Sequence, residues 1–485
     1  MPYTGTYYLT KDVTLENDFS IANFADLDTL EGATLNLCLN GHTIANTGAP
    51  SDTNLSVLYV HPGNTLNLYD DAGNAGKITA DNTEGIGGVY NDGTFNMYGG
   101  TITGCKREFG DGIDNGGIFN LYGGVIAQNE SIGDRGYGGG VYNGKSTFNM
   151  YGGTISNNSA DIGGGVFNLG NFIQHGGIIT GNTATYTGGG VCSYSPFSMS
   201  GGAITGNDAT GDDTYGGLGG GVHNTGSFTM SGGQIIGNRA RDDGGGVWNH
   251  YYSADRPGTF TLSGGSIAGN EAENGGGMCN SLNTLTLSGG EITGNTAIYG
   301  GGMYNQENTF NLSGNSAVTG NTATYGGGIY NDENAFNLSG NPAVTGNAGG
   351  NVILYSAVIA VADALTYADP IGVSIVDEHD NPIAGTITSG WNAKMPAALT
   401  TIEASAFEGI TAMKVVEAGS VASIGANAFR DCAALEMIRL PKDCAIDATA
   451  FSGCGTVFVF APAGGTAEAF CQRTDNACVF AAESN

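Results

Sequence analysis

Charged residues recur at one place in the sequence, shortly before an apolar anchor residue that itself returns about every 25 residues. Five residues before that anchor stand Glu84, Glu108, Asp161, Asp242 and Glu273, and six before it stand Arg107, Arg135 and Arg241. If equivalent positions stack, Arg107, Glu108, Asp134, Arg135 and Asp161 cluster on three successive turns of the chain. Pairs of carboxylates are the usual catalytic residues of glycoside hydrolases. A solvated face of ion pairs has the same composition, and we favour that interpretation.

Tyrosines lie in the same segments, just before the paired glycines. They are Tyr137, Tyr186, Tyr215, Tyr299 and Tyr325. Aromatic rings beside carboxylates can stack on sugar rings, so exposed tyrosines here would form a glycan-binding groove. Packing of the rings against the glycine corners is an equally good interpretation.

Calcium is the one metal that the acidic residues could attract. A strong calcium site needs about six to eight converging oxygens, whereas these carboxylates stand one per repeat. We therefore predict at most weak calcium binding, with Asp242, Asp243 and Glu273 as candidates, and no other cofactor. The nine cysteines include no Cys-x-x-Cys pair, which argues against a zinc site and a dense disulfide framework.

The composition restricts the partners. The 45 acidic and 15 basic residues give a net charge of −30, which repels nucleic acid and anionic lipid. No run of eighteen apolar residues occurs, so no membrane insertion is expected. We expect an extracellular or cell-surface protein, a monomer, whose signal peptide is absent from this sequence.

A repeat explains the 86 glycines. The apolar anchor falls at Val89, Ile113, Val141, Val166, Val191, Val222, Val247, Met278, Met303 and Ile329. The recurring pattern continues with Asn, a Phe-x-Met/Leu segment, Gly-Gly, an Ile segment ending in Gly-Asn, a variable loop and further glycines. Three short β segments per unit leave no room for a helix. The sequence therefore predicts an all-β fold, a right-handed parallel β-helix solenoid, with insertions that loop out of one corner.

Glycine and asparagine have structural tasks in this fold. The glycine clusters supply the positive φ of sharp corners. The asparagines after the Ile segment, Asn129, Asn158, Asn182, Asn207, Asn238, Asn270, Asn295, Asn321 and Asn347, are predicted to stack as a ladder of hydrogen-bonded amides. Diverged coils are expected at residues 3–80, regular coils at 84–347 and closing coils at 351–390, which together make a β-helix over residues 1–390.

The coils resemble a known class of surface proteins. Cys38-Leu39-Asn40-Gly41-His42-Thr43-Ile44 and the recurring Gly-Gly-Gly-Val-Tyr-Asn and Gly-Gly-x-Ile-x-Gly-Asn segments are similar to the pectate-lyase-like β-helix repeats of gut-bacterial and adhesin-like surface proteins. That resemblance covers about residues 3 to 390. It implies the fold, but the family mixes adhesins, binding modules and polysaccharide-degrading enzymes. The catalytic elements of polygalacturonase-type members, such as an Asp-Asp pair beside a Gly-His-Gly, do not occur together here.

A different period of 22 residues begins near residue 398. Ile402, Ile424 and Ile446 share it, as do Phe407, Phe429 and Phe451. These units resemble the BspA-type leucine-rich repeats of bacterial surface antigens, so residues 398–485 are expected to form a small leucine-rich-repeat module. The resemblance implies attachment to host or matrix proteins.

These observations together favour a non-catalytic adhesin or binding scaffold for glycans or host and matrix proteins. A polysaccharide hydrolase or lyase that uses the carboxylate cluster is the alternative from another class, and a structural spacer is the third.

Overall fold

The chain forms a β-solenoid of about 14 turns, built from parallel stacked strands, with almost no helix. The computed structural model describes residues 5–15, 32–48, 55–81, 83–133, 135–212, 216–250, 258–308, 310–361, 373–376, 391–394, 400–410, 413–473 and 478–483. The prediction of an all-β solenoid is confirmed.

Two neighbouring faces of the solenoid share one sheet. The first face holds the anchor residues, on strands Leu55–Val60, Ile86–Asn91, Ile113–Asn115, Val141–Asn143, Val166–Asn168, Val191–Ser193, Val222–Asn224, Val247–His250, Met278–Ser281, Met303–Gln306 and Val373–Val376. The second face holds the Phe-x-Met/Leu segments, on strands Gly5–Tyr8, Thr34–Cys38, Thr65–Tyr69, Thr94–Met97, Ile118–Leu121, Thr147–Met150, Asn171–Gln174, Phe197–Met199, Ser227–Met230, Thr259–Leu262, Thr284–Leu287 and Phe310–Leu312. Strands Ile329–Leu338 and Val352–Val361 run through both faces.

The third face is a separate parallel sheet of the Ile segments. Its strands are Val13–Leu15, Thr43–Asn46, Lys77–Thr79, Thr101–Thr103, Val125–Ala127, Thr154–Ser156, Ile178–Thr180, Ala203–Thr205, Gln234–Ile236, Ser266–Ala268, Glu291–Thr293, Ala317–Thr319 and Ala343–Thr345. The predicted variable loop also carries a short fourth strand, which the sequence analysis did not foresee. These fourth strands are Lys106–Arg107, Glu130–Ser131, Ser159–Ile162, Thr183–Thr187, Asp208–Ala209, Arg239–Ala240, Thr296–Tyr299 and Thr322–Tyr325.

The core is a set of like residues stacked along the axis. Phe172 stacks on Phe148 with ring centroids 4.6 Å apart and on Phe197 at 4.7 Å, and neighbouring coils repeat the arrangement. The anchor, Ile and Met/Leu positions form parallel buried columns beside these rings. In-register stacking of identical side chains explains why the repeat tolerates insertions in the loops but keeps its strands constant.

Glycine corners join the fourth strand to the first face. Gly138 has φ 68°, in the left-handed region that favours glycine, and a Cβ on Gly139 would collide with the backbone oxygen of Ser159 in the next coil. The predicted asparagine ladder is confirmed. From Asn129 to Asn321, each amide donates to the amide oxygen of the next coil over 2.9 to 3.0 Å, and also donates to a backbone carbonyl of the preceding coil. The last amide, of Asn347, donates to Asn351 over 3.1 Å.

The C-terminal repeats have their own sheets and their own hydrophobic core. One sheet contains Trp391–Lys394, Met413–Glu417, Met437–Arg439, Val457–Pro462 and Cys478–Glu483, the other Thr401–Ile402, Ser423–Ile424 and Ala445–Ile446, with a helix at Thr466–Cys471. The first of these strands lies upstream of residue 398. Cys432 and Cys454 are free thiols that donate to the backbone oxygens of Phe407 and Phe429, each over 2.9 Å.

Candidate functional site

From the sequence we expected Arg107 on a solvated charged face, but the structure places it elsewhere. Its side chain is buried, and its guanidinium makes an ion pair with Asp114 over 2.8 Å. It also donates to the Ser56 hydroxyl at 3.2 Å and to the Phe109 carbonyl at 2.8 Å. Arg107 is therefore a buried structural residue that connects the corner between the fourth strand and the first face through these hydrogen bonds.

The other members of the predicted charged cluster are not brought to it. The register pairs Arg107 with Ser131, so Arg135 lies in the inserted loop that follows, with an exposed side chain. Glu108 is exposed, and Asp161 accepts a hydrogen bond from the Gly136 amide at 3.2 Å. Within the described ranges no ion pair joins these three, and Asp134 lies outside them. The expected column fails here because insertions shift the loop register.

Two other carboxylates do neighbour Arg107. Asp111 occupies the corner position where most coils carry glycine, and it accepts the backbone amide of Arg107. Burial raises the pKa of Asp111 well above its usual range, and burial likewise raises the pKa of Asp114, although Arg107 opposes both shifts. On the preceding coil, Asp92 accepts the Tyr59 hydroxyl at 2.9 Å. The charge of Asp92 adds to the raised pKa of Asp114.

Side chains on the two sides of the glycine corner form two adjacent columns along the solenoid, which together we call the corner strip. Before the glycines it contains Phe109, Tyr137, Ile162, Thr187, Leu218, Asp243, Asn274, Tyr299 and Tyr325. After them, on the first face, it contains Tyr90, Asp114, Tyr142, Phe167, Cys192, His223, Trp248, Cys279, Tyr304 and Tyr330. The two columns touch because the corner folds them toward each other.

Three of the tyrosines singled out in the sequence, Tyr137, Tyr299 and Tyr325, are half-buried in this strip. The Tyr137 ring lies 4.8 Å from Phe167, and Tyr299 stacks on Tyr325 at 5.1 Å and meets Tyr330 edge-on at 5.4 Å. Tyr186 lies one position before the strip register, and Tyr215 lies outside the described residues. Corner packing therefore accounts for much of each ring, and a part of each ring remains accessible.

The middle of the corner strip holds a cysteine beside a histidine. Cys192 Sγ is 3.4 Å from His223 Nδ1, and the Trp248 ring lies 4.3 Å from the imidazole. Burial raises the pKa of the Cys192 thiol and lowers the pKa of His223 well below its usual range. Both groups are thus held neutral, which is the opposite of the thiolate that a nucleophilic cysteine requires.

The calcium candidates lie on neighbouring coils. Asp243 accepts the Asn274 amide at 2.9 Å, and burial raises its pKa, with a smaller contribution from the charges of Asp242 and Glu273. In the part of the chain that the structure describes, no three His, Cys, Asp or Glu side chains are grouped to hold a metal ion. Weak calcium binding at Asp242, Asp243 and Glu273 stays a prediction.

Two regular polar arrays were not predicted from the sequence. A second ladder of amides follows the first-face strands, through Asn91, Asn115, Asn143, Asn168, Ser193, Asn224, Asn249, Asn280, Asn305 and Asn331. On the second face, Tyr69, Tyr98, Tyr122, Tyr151 and His175 stack as nearly parallel rings. The recurring Val-Tyr-Asn and Met-Tyr-Gly-Gly segments were the signals that could have revealed both.

Comparison with known proteins identifies the C-terminal repeats. A family model described as BspA type Leucine rich repeat region matches residues 387–460 in six copies. No curated protein and no solved structure gives a significant match. None of the helices described is long and apolar enough to cross a membrane. The chain is thus a β-solenoid with a BspA-type leucine-rich repeat region, and such proteins are typically surface or secreted bacterial proteins.

Proposed function

We propose that this protein is an extracellular or cell-surface binding scaffold, without catalytic activity, for a glycan or a host or matrix protein. The observation that carries the proposal is the corner strip, to which most coils of the solenoid contribute at least one aromatic side chain, with stacked rings at both of its ends. Preorganised aromatic side chains lose little entropy on binding, which favours a ligand-binding role. The BspA-type region supports a surface location.

The burial of Arg107 also supports a role without catalysis. A catalytic base or acid must reach the substrate, whereas this guanidinium is enclosed by Asp114, Ser56 and Phe109. Cys192 and His223 are likewise held neutral and buried.

The test is direct binding of the purified chain to a glycan array and to immobilised mucin, collagen and fibronectin. Replacing Tyr299 and Tyr325 together by Ala should weaken binding by about tenfold, since both rings lie in the corner strip. Ile178→Ala is the matched control, because Ile178 is 44% exposed on a different face. Equal losses in both variants, or no ligand in any format, would count against the proposal.

A second function, polysaccharide hydrolysis, is favoured by one observation. Asp92 and Asp114 stand on adjacent coils beside aromatic rings, and burial raises the pKa of Asp114. Two carboxyl groups in unlike environments are the usual acid and base of glycosidases. Incubation with plant and mucin polysaccharides, followed by assays for reducing ends and unsaturated products, separates the two functions. Release of reducing ends without unsaturated products by the native chain, lost in Asp92→Asn/Asp114→Asn, would establish the hydrolase.

A further inference from the structure

The second face of the solenoid carries regular columns of uncharged polar and aromatic side chains. Alternate side chains of its strands point outward, and they align across the coils. The middle outward column contains Thr6, Asn36, Asn67, Asn96, Asn120, Asn149, Ile173, Ser198, Thr229, Thr261, Thr286, Asn311 and Asn337. Two residues further along the strands, from the third coil onward, the next outward column contains Tyr69, Tyr98, Tyr122, Tyr151, His175, Ser200, Ser231, Ser263, Ser288, Ser313 and Ser339. We call this surface the neutral face.

No Asp, Glu, Lys or Arg occupies either of these columns among the residues that the structure describes. That is unusual for a chain with 45 acidic and 15 basic residues and a net charge of −30. The fourth strands show the contrast, because Lys106 pairs with Glu130 there and Asp208 stacks on Arg239. The two outward columns of the second face are therefore uncharged over most of the length of the solenoid, and the outward positions of the third-face strands carry only Lys77 and Glu291 among the described residues.

The neutral face is also highly ordered. Neighbouring rings of the tyrosine column are 4.8 to 4.9 Å apart and 4 to 6° from parallel, and Tyr98, Tyr122 and Tyr151 are more than 40% exposed. Beside them, the amides of Asn149 and Asn120 each donate to the preceding coil over 2.7 to 2.8 Å. An amide has two N–H donors and two acceptor sites, so each of these side chains retains a donor and an acceptor for a ligand.

We propose that the neutral face, a surface separate from the corner strip, binds an uncharged, extended polysaccharide that runs along the solenoid axis. This inference goes beyond the proposed function, because it assigns a second binding surface and the class of its ligand. Hydroxyls of Thr and Ser, amides of Asn and hydroxyls of Tyr match the donors and acceptors of a polyol. Their repeat of about 4.8 Å is close to the length of one sugar unit in an extended chain. An uncharged ligand feels no repulsion from the strongly negative molecule.

The net charge of the protein also disfavours binding of the other ligands that could cover the neutral face. A polyuronate or a nucleic acid would be repelled by the net charge of −30. A second copy of the chain would bring an equal negative charge alongside. The half of the face that carries Thr and Ser also lacks the aromatic, Met and Arg side chains that are enriched in protein interfaces.

The experiment measures binding of the full chain to soluble mixed-linkage β-glucan, galactomannan and arabinoxylan, with polygalacturonate as the anionic comparison. We expect at least one neutral polysaccharide to bind and polygalacturonate not to bind. In Thr229→Glu/Thr286→Glu, two charged side chains would protrude two coils apart in the middle column, and the affinity should fall by about tenfold or more. Thr183→Glu is the control, because Thr183 shares its column with Asp208 and Arg239, and it should bind as the native chain does.

A second variant guards against a folding defect. Tyr122→Ser/Tyr151→Ser introduces the residue that later coils carry at the same position, so the fold should persist while the affinity falls. Retention of full affinity by both neutral-face variants would overturn this inference and leave the proposed function intact. Binding of polygalacturonate alone, or of matrix protein alone, would also overturn it. A dimer in sedimentation velocity that Thr229→Glu/Thr286→Glu dissolves, without polysaccharide binding, would assign the face to a second copy instead.

Discussion

The two buried amide ladders of the solenoid differ in how completely their buried donors and acceptors are hydrogen-bonded. In the first ladder, from Asn129 to Asn347, every coil contributes asparagine, and each amide between the two ends accepts from one neighbour and donates to the next. In the second ladder, Ser193 replaces asparagine. The Ser193 hydroxyl accepts from Asn168 at 2.9 Å but gives its single proton to the Ser195 carbonyl at 2.8 Å. Asn224 Oδ1 is consequently buried with no hydrogen-bond partner among the described residues.

The difference shows that a buried polar column depends on the number of protons that each member supplies. Asparagine has two N–H donors, one for the next coil and one for a nearby carbonyl, whereas serine has one O–H. A buried acceptor without a donor carries its full desolvation penalty. A single residue type in the repeat therefore determines whether the ladder stabilises the solenoid across every coil.

Removal of an amide from the first ladder should have the largest effect. Asn207 donates through Nδ2 to Ile179 and Asn238, and its Oδ1 accepts both the backbone and the side-chain N–H of Asn182, over 2.9 to 3.0 Å. Asn207→Ala should lower the free energy of unfolding by about 4 kcal/mol, since each unmade buried hydrogen bond costs about 1 to 3 kcal/mol. Urea unfolding followed by circular dichroism measures it.

The matched control makes the same substitution in an accessible ladder. Asn120 also donates to one coil and accepts from another, but on the neutral face, where water can replace both bonds. Asn120→Ala should cost about 1 kcal/mol or less. Similar losses in the two variants would mean that burial is not what gives the first ladder its strength.

The first ladder could be predicted from the sequence, because Asn recurs after the Ile segment, preceded by Gly in seven of the nine coils, and equivalent positions of a solenoid must stack. The neighbourhood of Arg107 could not be predicted in that way. It depends on Ser56, which is 51 residues away, and on insertions that shift the loop register by a few residues. The choice between exposure and corner packing of Tyr137 and Tyr299 stayed open in the sequence for a related reason, since it depends on how sharply the glycine corner folds two columns together.

Gln174 shows what a buried amide costs when it belongs to neither ladder. Gln174 occupies the Met/Leu column between Met150 and Met199, is fully buried, and has no described hydrogen-bond partner for Nε2 or Oε1. Gln174→Met restores the residue of both neighbours at nearly equal volume. It should raise the free energy of unfolding by about 2 kcal/mol, the cost of burying an unpaired amide.

Thermal melting together with urea unfolding measures the gain from Gln174→Met. The reciprocal variant, Met150→Gln, places a second amide next to Gln174 in the same column. It should be less stable than the native chain unless the two amides pair with each other. No change in stability for Gln174→Met would show that Gln174 has a partner in solution that the described contacts lack.

The smallest effect is expected from repair of the second ladder. Ser193→Asn supplies a side chain whose Nδ2 can donate to Asn224 Oδ1, as Asn224 itself donates to Asn249 over 2.7 Å. Its second N–H can donate to a carbonyl of its own turn, as Asn280 does to Asn283 over 3.0 Å. The free energy of unfolding should rise by about 1 kcal/mol, the net value of one hydrogen bond.

The matched variant breaks the same ladder where it is intact. Asn249→Ser reproduces the present Ser193 arrangement and removes the donor to Asn280 Oδ1, which it now reaches over 2.6 Å. It should lower the free energy of unfolding by at least as much as Ser193→Asn raises it, because the penalty of one unpaired buried acceptor is the same at both places. If Asn249→Ser destabilises the chain while Ser193→Asn changes nothing, Asn224 Oδ1 must already be satisfied by water, and the break at Ser193 carries no penalty.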